Sequence, residues 1–493
     1  MAFVKAGGRD LCFAGLVEVG EWLGRGDLSP VDVVETVLDR IERCNGELRV
    51  FITVTRDLAL EQARQAEREI RAGQYRGPLH GVPISLKDNI PTRGIRTTHA
   101  SAAMAQWIPD SDATVYTRAR EAGAVLIGKA NLNEFGFSSH PAFPPPLNPW
   151  RTDRTSGGSS SGSAVSVAAG MGYASIGTDS GGSGRYPAHV NGVVGFQATR
   201  GRVSRHGVFD RSDTVGHIAV LARSVVDSAV MMQAIAGHDA NDEESSTEPV
   251  PDLRARIGQS IRGVRIGHAR GYSIQDVDPD VVTVTREALG VLRGLGAAVE
   301  DVSLPYLEAC VELLTSIILP ELATVHRHRL RTMPEQLGEI ARQRLELGSA
   351  IPAAEYVQAQ QVRRRMRDAF QEVFAAFDVI VGPARATRAG QPVTSRPGSF
   401  TARLEDGREI DLRSIAYEYT GIYNLLGTPA IVIPAGFSRE GTPIGLQIAG
   451  RWFEEPLVLQ VAHAYEQATG WHRRHPPDLP VPAEHRTPEE RTA

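Results

Sequence analysis

The stretch that decides the fold is residues 154–199, RTSGGSSSGSAVSVAAGMGYASIGTDSGGSGRYPAHVNGVVGFQAT. It contains two glycine-rich turns in which a serine, Ser159 or Ser183, directly follows Gly-Gly. Glycine lets a ligand approach the backbone closely, and a serine in such a turn lies beside backbone N–H groups that can stabilise an oxyanion. A flexible Gly/Ser linker is the simpler alternative. Linkers are polar throughout, whereas residues 164–172 are largely apolar and compatible with a helix, which disfavours the linker.

Three segments resemble the motifs of the amidase signature family of Ser-cisSer-Lys hydrolases. Residues 157–170, GGSSSGSAVSVAAG, and residues 177–188, GTDSGGSGRYPA, resemble the two serine motifs, and residues 81–89, GVPISLKDN, resemble the lysine motif. The resemblance extends over roughly residues 29–472. It implies an α/β fold in which a large, mixed, mostly parallel β-sheet is covered by helices on both faces, with a helical variable region.

The resemblance assigns three catalytic residues, Lys87, Ser159 and Ser183. An amide is a poor electrophile, so its hydrolysis needs an activated nucleophile, a stabilised oxyanion and a proton for the leaving nitrogen. Ser183 is the predicted nucleophile. Ser159, on the cis peptide bond that the family has at this position, is predicted to relay a proton between Ser183 and Lys87. A lysine acts as a base only when it is uncharged, so Lys87 is expected to be buried and hydrogen-bonded.

The same motifs predict the residues around the catalytic groups. Ser160 is expected to support the catalytic serines by a hydrogen bond. Asp179 and Arg185 are expected to brace the second serine turn by charge-assisted hydrogen bonds, with an ordinary surface ion pair as the alternative. The backbone N–H groups predicted to form the oxyanion hole are those of Ser180, Gly181, Gly182 and Ser183. Candidates for an apolar substrate wall, with plain loop packing as the alternative, are Phe135, Phe143 and Tyr186.

A rival motif and several departures from the family pattern bear on this interpretation. Residues 158–162 also fit the G-x-S-x-G nucleophile elbow, but that motif requires a strand directly before it, and residues 148–154, NPWRTDR, do not form one. Gly184 stands where the family often has a larger aliphatic residue, and with Tyr186 it is expected to reshape the pocket. These two departures weaken the case for the glutaminase subunit of a tRNA-dependent amidotransferase. Departures that remove no catalytic group are Ser161, Gln197, Ala198 and His217.

The length of 493 residues suits one large α/β domain. A single domain is predicted over residues 1–476, with its catalytic core at about 75–225 and 423–472. The region at about 305–422 is expected to be a variable helical part that shapes the substrate pocket. The tail at 477–493 is rich in proline and charge and is expected to be loosely ordered.

Composition restricts the classes of partner. A net charge of −5 gives no basis for binding nucleic acid or an anionic membrane. No run approaches the roughly 18 apolar residues of a membrane-spanning helix, and a cytoplasmic protein is expected. The three cysteines, Cys12, Cys44 and Cys310, are far apart and odd in number, which argues against a disulfide framework and a cysteine metal site. Neither a metal nor another cofactor is predicted, and a homodimer is an expectation from the resemblance alone.

The predicted function is hydrolysis of the carbon–nitrogen bond of a small or aryl-substituted linear amide through an acyl-enzyme, with esterase or carbamate activity as a side reaction. A small-molecule amide is then the expected partner. Two alternatives stay open: a glutaminase subunit of a tRNA-dependent amidotransferase, which works only with other subunits, and a non-catalytic binding protein on the same fold. Hydrolysis of an anilide or ester by the purified chain alone would separate the first two.

Overall fold

The computed structural model describes residues 5–6, 9–208, 212–269, 277–390, 401–403 and 409–477. Nearly all of the predicted tail at 477–493 lies outside the described residues. The α-helices of the described part are α1 (Leu16–Arg25), α2 (Pro30–Leu48), α3 (Arg56–Arg71), α4 (Thr114–Glu121), α5 (Ser161–Ala168), α6 (Arg185–Asn191), α7 (Val225–Ile235), α8 (Pro279–Gly294), α9 (Cys310–Thr332), α10 (Glu339–Ala350), α11 (Ala353–Ala376), α12 (Leu412–Leu426) and α13 (Glu455–Thr469).

The strands of the described part are β1 (Lys5–Ala6), β2 (Arg9–Asp10), β3 (Phe51–Val54), β4 (Pro83–Lys87), β5 (Val125–Ala130), β6 (Ala174–Asp179), β7 (Val194–Gln197), β8 (His217–Ala222), β9 (Arg265–Ala269), β10 (Ala298–Val302), β11 (Val379–Pro383), β12 (Thr401–Arg403), β13 (Glu409–Asp411), β14 (Ala430–Phe437) and β15 (Pro443–Gly450). Eleven of them form one sheet in the order β10-β9-β11-β15-β14-β7-β8-β6-β4-β5-β3. The predicted α/β class with one large mixed sheet is therefore confirmed.

The prediction that the sheet is mostly parallel is wrong. Six of its ten neighbouring pairs are antiparallel, and parallel pairing is restricted to β10-β9-β11 at one end and β6-β4-β5 near the other. The centre of the sheet is antiparallel because β14 and β15 form a hairpin and β7 and β8 pair in opposite directions. An apolar run in a sequence reports the burial of a strand but not its direction.

The parallel pairing of β4 and β6 brings the lysine and serine motifs together. Ile84 pairs with Ala174, and Leu86 pairs with Ile176, so both strands run toward the same edge of the sheet. Every residue of both strands is buried, which is typical of strands covered on both faces. Lys87 of the lysine motif is the last residue of β4, and the second serine turn directly follows β6. Both therefore lie at the same edge of the sheet, where these two strands end.

In its described part, the region predicted to be helical at about 305–422 contains α9, α10, α11 and most of α12, together with the short strands β11, β12 and β13. Helix α10 packs against α9 through Ala341 and Leu345, which join a small hydrophobic cluster with Leu322. Among the described residues, the structure has no helix whose length and apolar character suffice to cross a membrane.

Candidate active site

Lys87 is the final residue of β4, and its side chain is fully buried. Its Nζ donates a hydrogen bond to Ser159 Oγ at 2.7 Å and another to Thr178 Oγ1 at 2.8 Å. Asn89 Nδ2 donates to the same Thr178 hydroxyl at 3.1 Å. The structure therefore places the predicted base against the predicted relay serine. Sequence reasoning missed Thr178, although it lies inside the second serine motif.

The two serine turns contact each other directly. The Gly158–Ser159 peptide bond is cis, as the resemblance implies. Ser160, the residue after the relay serine, donates its backbone N–H to the Ser183 carbonyl oxygen at 3.0 Å. Its side-chain hydroxyl donates to the Thr178 carbonyl oxygen at 3.0 Å. Ser183 is half-buried, whereas Ser159 is buried, so the predicted nucleophile is the more accessible of the pair.

Asp179 and Arg185 form a buried ion pair beneath the second serine turn. Arg185 Nε lies 3.0 Å from Asp179 Oδ2, and both side chains are fully buried. Burial alone would raise the pKa of Asp179, but the Arg185 guanidinium and hydrogen bonds from backbone N–H groups of the turn lower the pKa below its ordinary value. The alternative interpretation, an ordinary surface ion pair, is therefore wrong. Asp179 accepts hydrogen bonds from backbone N–H groups of the turn, so the pair braces the turn.

One predicted oxyanion donor has another role in the structure. The backbone N–H of Gly182 donates to Asp179 Oδ1 at 2.6 Å, on the side of the buried ion pair. Because this N–H already binds a carboxylate, Gly182 is removed from the predicted set of donors. Ser180, Gly181 and Ser183 remain predicted donors.

Two residues from the C-terminal part complete the support of the turn, and sequence reasoning gave neither of them a role. Asn424 on α12 donates from Nδ2 to Asp179 Oδ1 at 3.0 Å and accepts a bond from Arg185 Nη2 at 2.6 Å. Gln447 on β15 accepts a bond from Arg185 Nη1 at 2.8 Å. Both lie more than two hundred residues from the turn in sequence, so no local pattern connects them with it.

The candidate pocket residues take different positions. Phe135 is buried, and its ring centroid lies 4.0 Å from that of His326, so loop packing explains it. Phe143 is half-buried, with its ring 6.3 Å from that of His140 in the same loop. Tyr186 is half-buried three residues after Ser183 and lies under the Arg385 guanidinium, 3.9 Å from the ring centroid. Tyr186 is therefore the pocket candidate with a position near the predicted nucleophile.

The expectation that Gly184 reshapes the pocket is wrong. A Cβ atom built at Gly184 would lie 2.5 Å from the Cβ of Ala219 on β8 and 3.4 Å from Asp179 Oδ2. The missing side chain would therefore enter the packing between the turn and the sheet. This departure from the family pattern is matched by close packing of the turn against β8.

A second buried lysine, Lys129 on β5, lies beside the site. Its Nζ donates to the Ile90 carbonyl oxygen and to the hydroxyls of Thr92 and Thr97, and it lies 3.8 Å from Asp88 Oδ1. Burial lowers the pKa of Lys129 to about 8, and the Asp88 carboxylate opposes this shift. The pair holds together the loop that follows the lysine motif.

Comparison with known proteins identifies the family. The model of the family described as Amidase matches residues 32–459. The chain therefore belongs to the amidase family, the amidase signature enzymes, and is a hydrolase of carbon–nitrogen bonds.

Similar proteins cover nearly the whole chain. The A subunit of glutamyl-tRNA(Gln) amidotransferase from Moorella thermoacetica is 36% identical, over 93% of this chain and 97% of its own. Its counterpart from Heliobacterium modesticaldum is 38% identical, over 94% and 98%. Among solved structures, a vestigial complex linked to the origins of an s-triazine catabolic enzyme is similar at a TM-score of 0.86 and 30% identity, covering 93% of this chain and 99% of that one. The A subunit of the Thermotoga maritima amidotransferase is similar at a TM-score of 0.77 and 30% identity, covering 94% and 96%.

Proposed function

We propose that the chain hydrolyses a carboxamide through an acyl-enzyme formed on Ser183. The observation that carries this proposal is the 2.7 Å contact between Lys87 Nζ and Ser159 Oγ in a fully buried setting, next to the turn that carries Ser183. A buried lysine next to a serine hydroxyl is the arrangement that general-base activation of a serine needs. A lysine with a purely structural role would not need the second serine turn, which carries Ser183, to pack beside its hydrogen-bond partner Ser159.

The proposed reaction begins with an uncharged Lys87. Ser183 Oγ attacks the amide carbonyl carbon and passes its proton to Ser159, whose own proton moves to Lys87 Nζ. The negative oxygen of the tetrahedral intermediate accepts hydrogen bonds from backbone N–H groups of the turn at Ser180, Gly181 and Ser183, each contributing roughly 3 kcal/mol. Ser159 returns a proton to the leaving nitrogen, the carbon–nitrogen bond breaks, and water then releases the acyl group by the same proton path.

Glutamine is the substrate that the comparisons favour. Relatives that are 36% and 38% identical over more than nine-tenths of this chain are A subunits of an amidotransferase. Gly184, which argued against this interpretation, faces Ala219 instead of a substrate. We infer that the chain is a glutaminase subunit of a tRNA-dependent amidotransferase and requires partner subunits for the complete reaction. This replaces the homodimer with a hetero-oligomer as the proposed assembly.

A stand-alone hydrolase of a small or aryl-substituted amide is the second candidate. Two observations favour it. The TM-score of 0.85 to a bacterial aryl acylamidase of the amidase signature family, at 26% identity, exceeds the 0.77 to the Thermotoga maritima amidotransferase chain. Tyr186, half-buried and three residues after Ser183, stacks with the buried Arg385 guanidinium, and an aromatic and cationic pair at this position suits an aryl or otherwise planar group of a substrate.

Hydrolysis by the purified chain tests the reaction and separates the candidates. The substrates are glutamine, 4-nitroacetanilide, propionamide and a phenyl carbamate, and the variants are Lys87→Ala, Ser159→Ala and Ser183→Ala. The matched control is Ser163→Ala, since Ser163 is buried, as Lys87 and Ser159 are, but its hydroxyl has no hydrogen-bond partner in the described structure. We expect turnover by the wild type and the control, and a loss of at least about a hundredfold in the three variants.

The substrate profile assigns the class. Activity restricted to glutamine, whether by the chain alone or after its partner subunits are added, supports the amidotransferase interpretation, and unaided hydrolysis of the anilide supports the stand-alone enzyme. Full activity of Ser183→Ala would show that the proposed nucleophile is wrong.

A further inference from the structure

We propose that Thr420 is a positioning residue for the oxyanion hole, an inference that rests on the proposed function. Thr420 lies on α12 and is fully buried. Its Oγ1 donates a hydrogen bond of 2.8 Å to the carbonyl oxygen of Gly181, in the turn that ends with Ser183. No motif connects the two residues, which are 239 positions apart in the chain.

Thr420 holds one side of a peptide unit whose other side is held by Asp179. The Gly181 carbonyl and the Gly182 N–H belong to the same planar peptide and point in opposite directions. Thr420 binds the carbonyl, and Asp179 Oδ1 accepts the N–H at 2.6 Å. Because both ends are bound, this peptide is held against rotation, which restricts the orientations open to the adjacent N–H groups of Gly181 and Ser183.

The packing of Thr420 against the turn leaves no free space. A Cβ atom built at Gly182 would lie 2.0 Å from Thr420 Oγ1, and Gly182 has a φ of +113°, which a side chain would strain. One helical turn later, Asn424 Nδ2 donates to the Asp179 carbonyl oxygen at 3.0 Å. One face of α12 therefore contacts the start of the turn through Asn424 and its middle through Thr420, and the helix holds the turn in its conformation.

Holding the turn in this conformation is expected to stabilise the transition state and to leave substrate binding unaffected. Backbone N–H groups stabilise the oxyanion only when they are aligned with the position that the negative oxygen takes, which the ground-state carbonyl does not yet occupy. A turn that can rotate loses this alignment without losing substrate contacts. Loss of the Thr420 hydroxyl is therefore expected to lower kcat and to leave KM nearly unchanged.

The test compares Thr420→Val, which keeps the shape and removes the hydroxyl, with Thr420→Ser, which keeps the hydroxyl. Thr428→Val is the matched control, because Thr428 is also fully buried and its hydroxyl has no hydrogen-bond partner in the described residues. The measurements are kcat and KM for glutamine or 4-nitroacetanilide, whichever the wild type hydrolyses faster. A third measurement is the inhibition constant of phenylboronic acid, whose boron becomes a tetrahedral anion on bonding to a serine.

For Thr420→Val we expect kcat to fall by about 10–100-fold, the inhibition constant of the boronic acid to rise by a similar factor, and KM to change by less than about twofold. Thr420→Ser should recover most of the loss, and Thr428→Val should match the wild type. Unchanged kcat and boronic acid affinity in Thr420→Val, with only a lower melting temperature, would reduce Thr420 to a structural residue and overturn the inference. A wild type that neither turns over nor binds the boronic acid would instead contradict the proposed function, and the inference with it.

Discussion

Two buried lysines on neighbouring strands show how the groups around a lysine decide whether its role is catalytic or structural. Lys87 is the last residue of β4, and Lys129 lies on the neighbouring strand β5 opposite Leu86. The two lysines are therefore one position apart along the strands, near the carboxyl end of each. Both side chains are fully buried. Lys87 donates to the hydroxyls of Ser159 and Thr178, whereas Lys129 donates to a backbone carbonyl and two hydroxyls beside the Asp88 carboxylate.

The two lysines differ in whether their hydrogen-bond partners can pass a proton onward. The Ser159 hydroxyl can both give and accept a proton, so the contact of Lys87 suits proton transfer. Lys129 also contacts two hydroxyls, those of Thr92 and Thr97, but neither lies in a serine turn, and the Asp88 carboxylate opposes loss of the lysine proton. Burial of a lysine is therefore not evidence of catalysis unless its partner can carry the proton onward.

The largest effect is expected from Lys87→Met, which keeps the volume of the side chain and removes the base. We expect kcat to fall by about a thousandfold or more, because the proton of Ser183 then has no acceptor beyond Ser159. Steady-state kinetics with the substrate identified by the panel, beside circular dichroism of the folded variant, measure this. A variant that is folded and retains more than a tenth of the wild-type kcat would remove Lys87 from the mechanism.

Lys129→Met is expected to have the converse effect. Removing one partner of a buried ion pair leaves Asp88 uncompensated, so the free energy of unfolding should drop by about 3–5 kcal/mol. The kcat of the folded protein should stay within about threefold of wild type. Urea unfolding and kinetics on the same sample measure both quantities, and a stable but inactive Lys129→Met would erase the proposed contrast between the lysines.

The pH dependence of stability sharpens the comparison further. Lys129 has a pKa of about 8 in the folded protein against an ordinary value of 10.5, so between these pH values the unfolded chain binds more protons than the folded one. The free energy of unfolding of the wild type should therefore rise with pH from about 8 to 10.5, by roughly 3 kcal/mol relative to Lys129→Met. Urea unfolding across this range measures the difference. Parallel curves for the two proteins would show that Lys129 does not titrate in this range.

The smallest effects are expected from removing one hydroxyl partner of each lysine. Thr178→Val deletes a contact of Lys87 and should lower kcat by about tenfold, since the lysine is then less well oriented toward Ser159. Thr97→Val deletes a 2.7 Å contact of Lys129 and should lower the free energy of unfolding by about 1 kcal/mol, with kcat unchanged. Kinetics and urea unfolding of both variants distinguish them. Equal effects on kcat would contradict separate roles.

The sequence predicts those parts of the fold and site that local motifs encode. Lys87, Ser159 and the pairing of Asp179 with Arg185 follow from short segments, because those segments resemble the motifs of the amidase signature family. Strand direction does not follow, because an apolar run is the same for a parallel and an antiparallel neighbour. The role of Thr420 depends on a contact between distant parts of the chain, which the sequence of neither part reveals.

The central claim is that Lys87, acting through Ser159, activates Ser183. Intact-mass spectrometry after exposure to phenylmethanesulfonyl fluoride tests it directly, since the activated oxygen bonds to sulfur as fluoride leaves and its proton passes to the base. We predict a single adduct that maps to Ser183 and forms at similar rates in wild type and Lys129→Met. Lys87→Met should be labelled at least about a hundredfold more slowly. Equal labelling of Lys87→Met and wild type, or an adduct that persists in Ser183→Ala, would contradict the account.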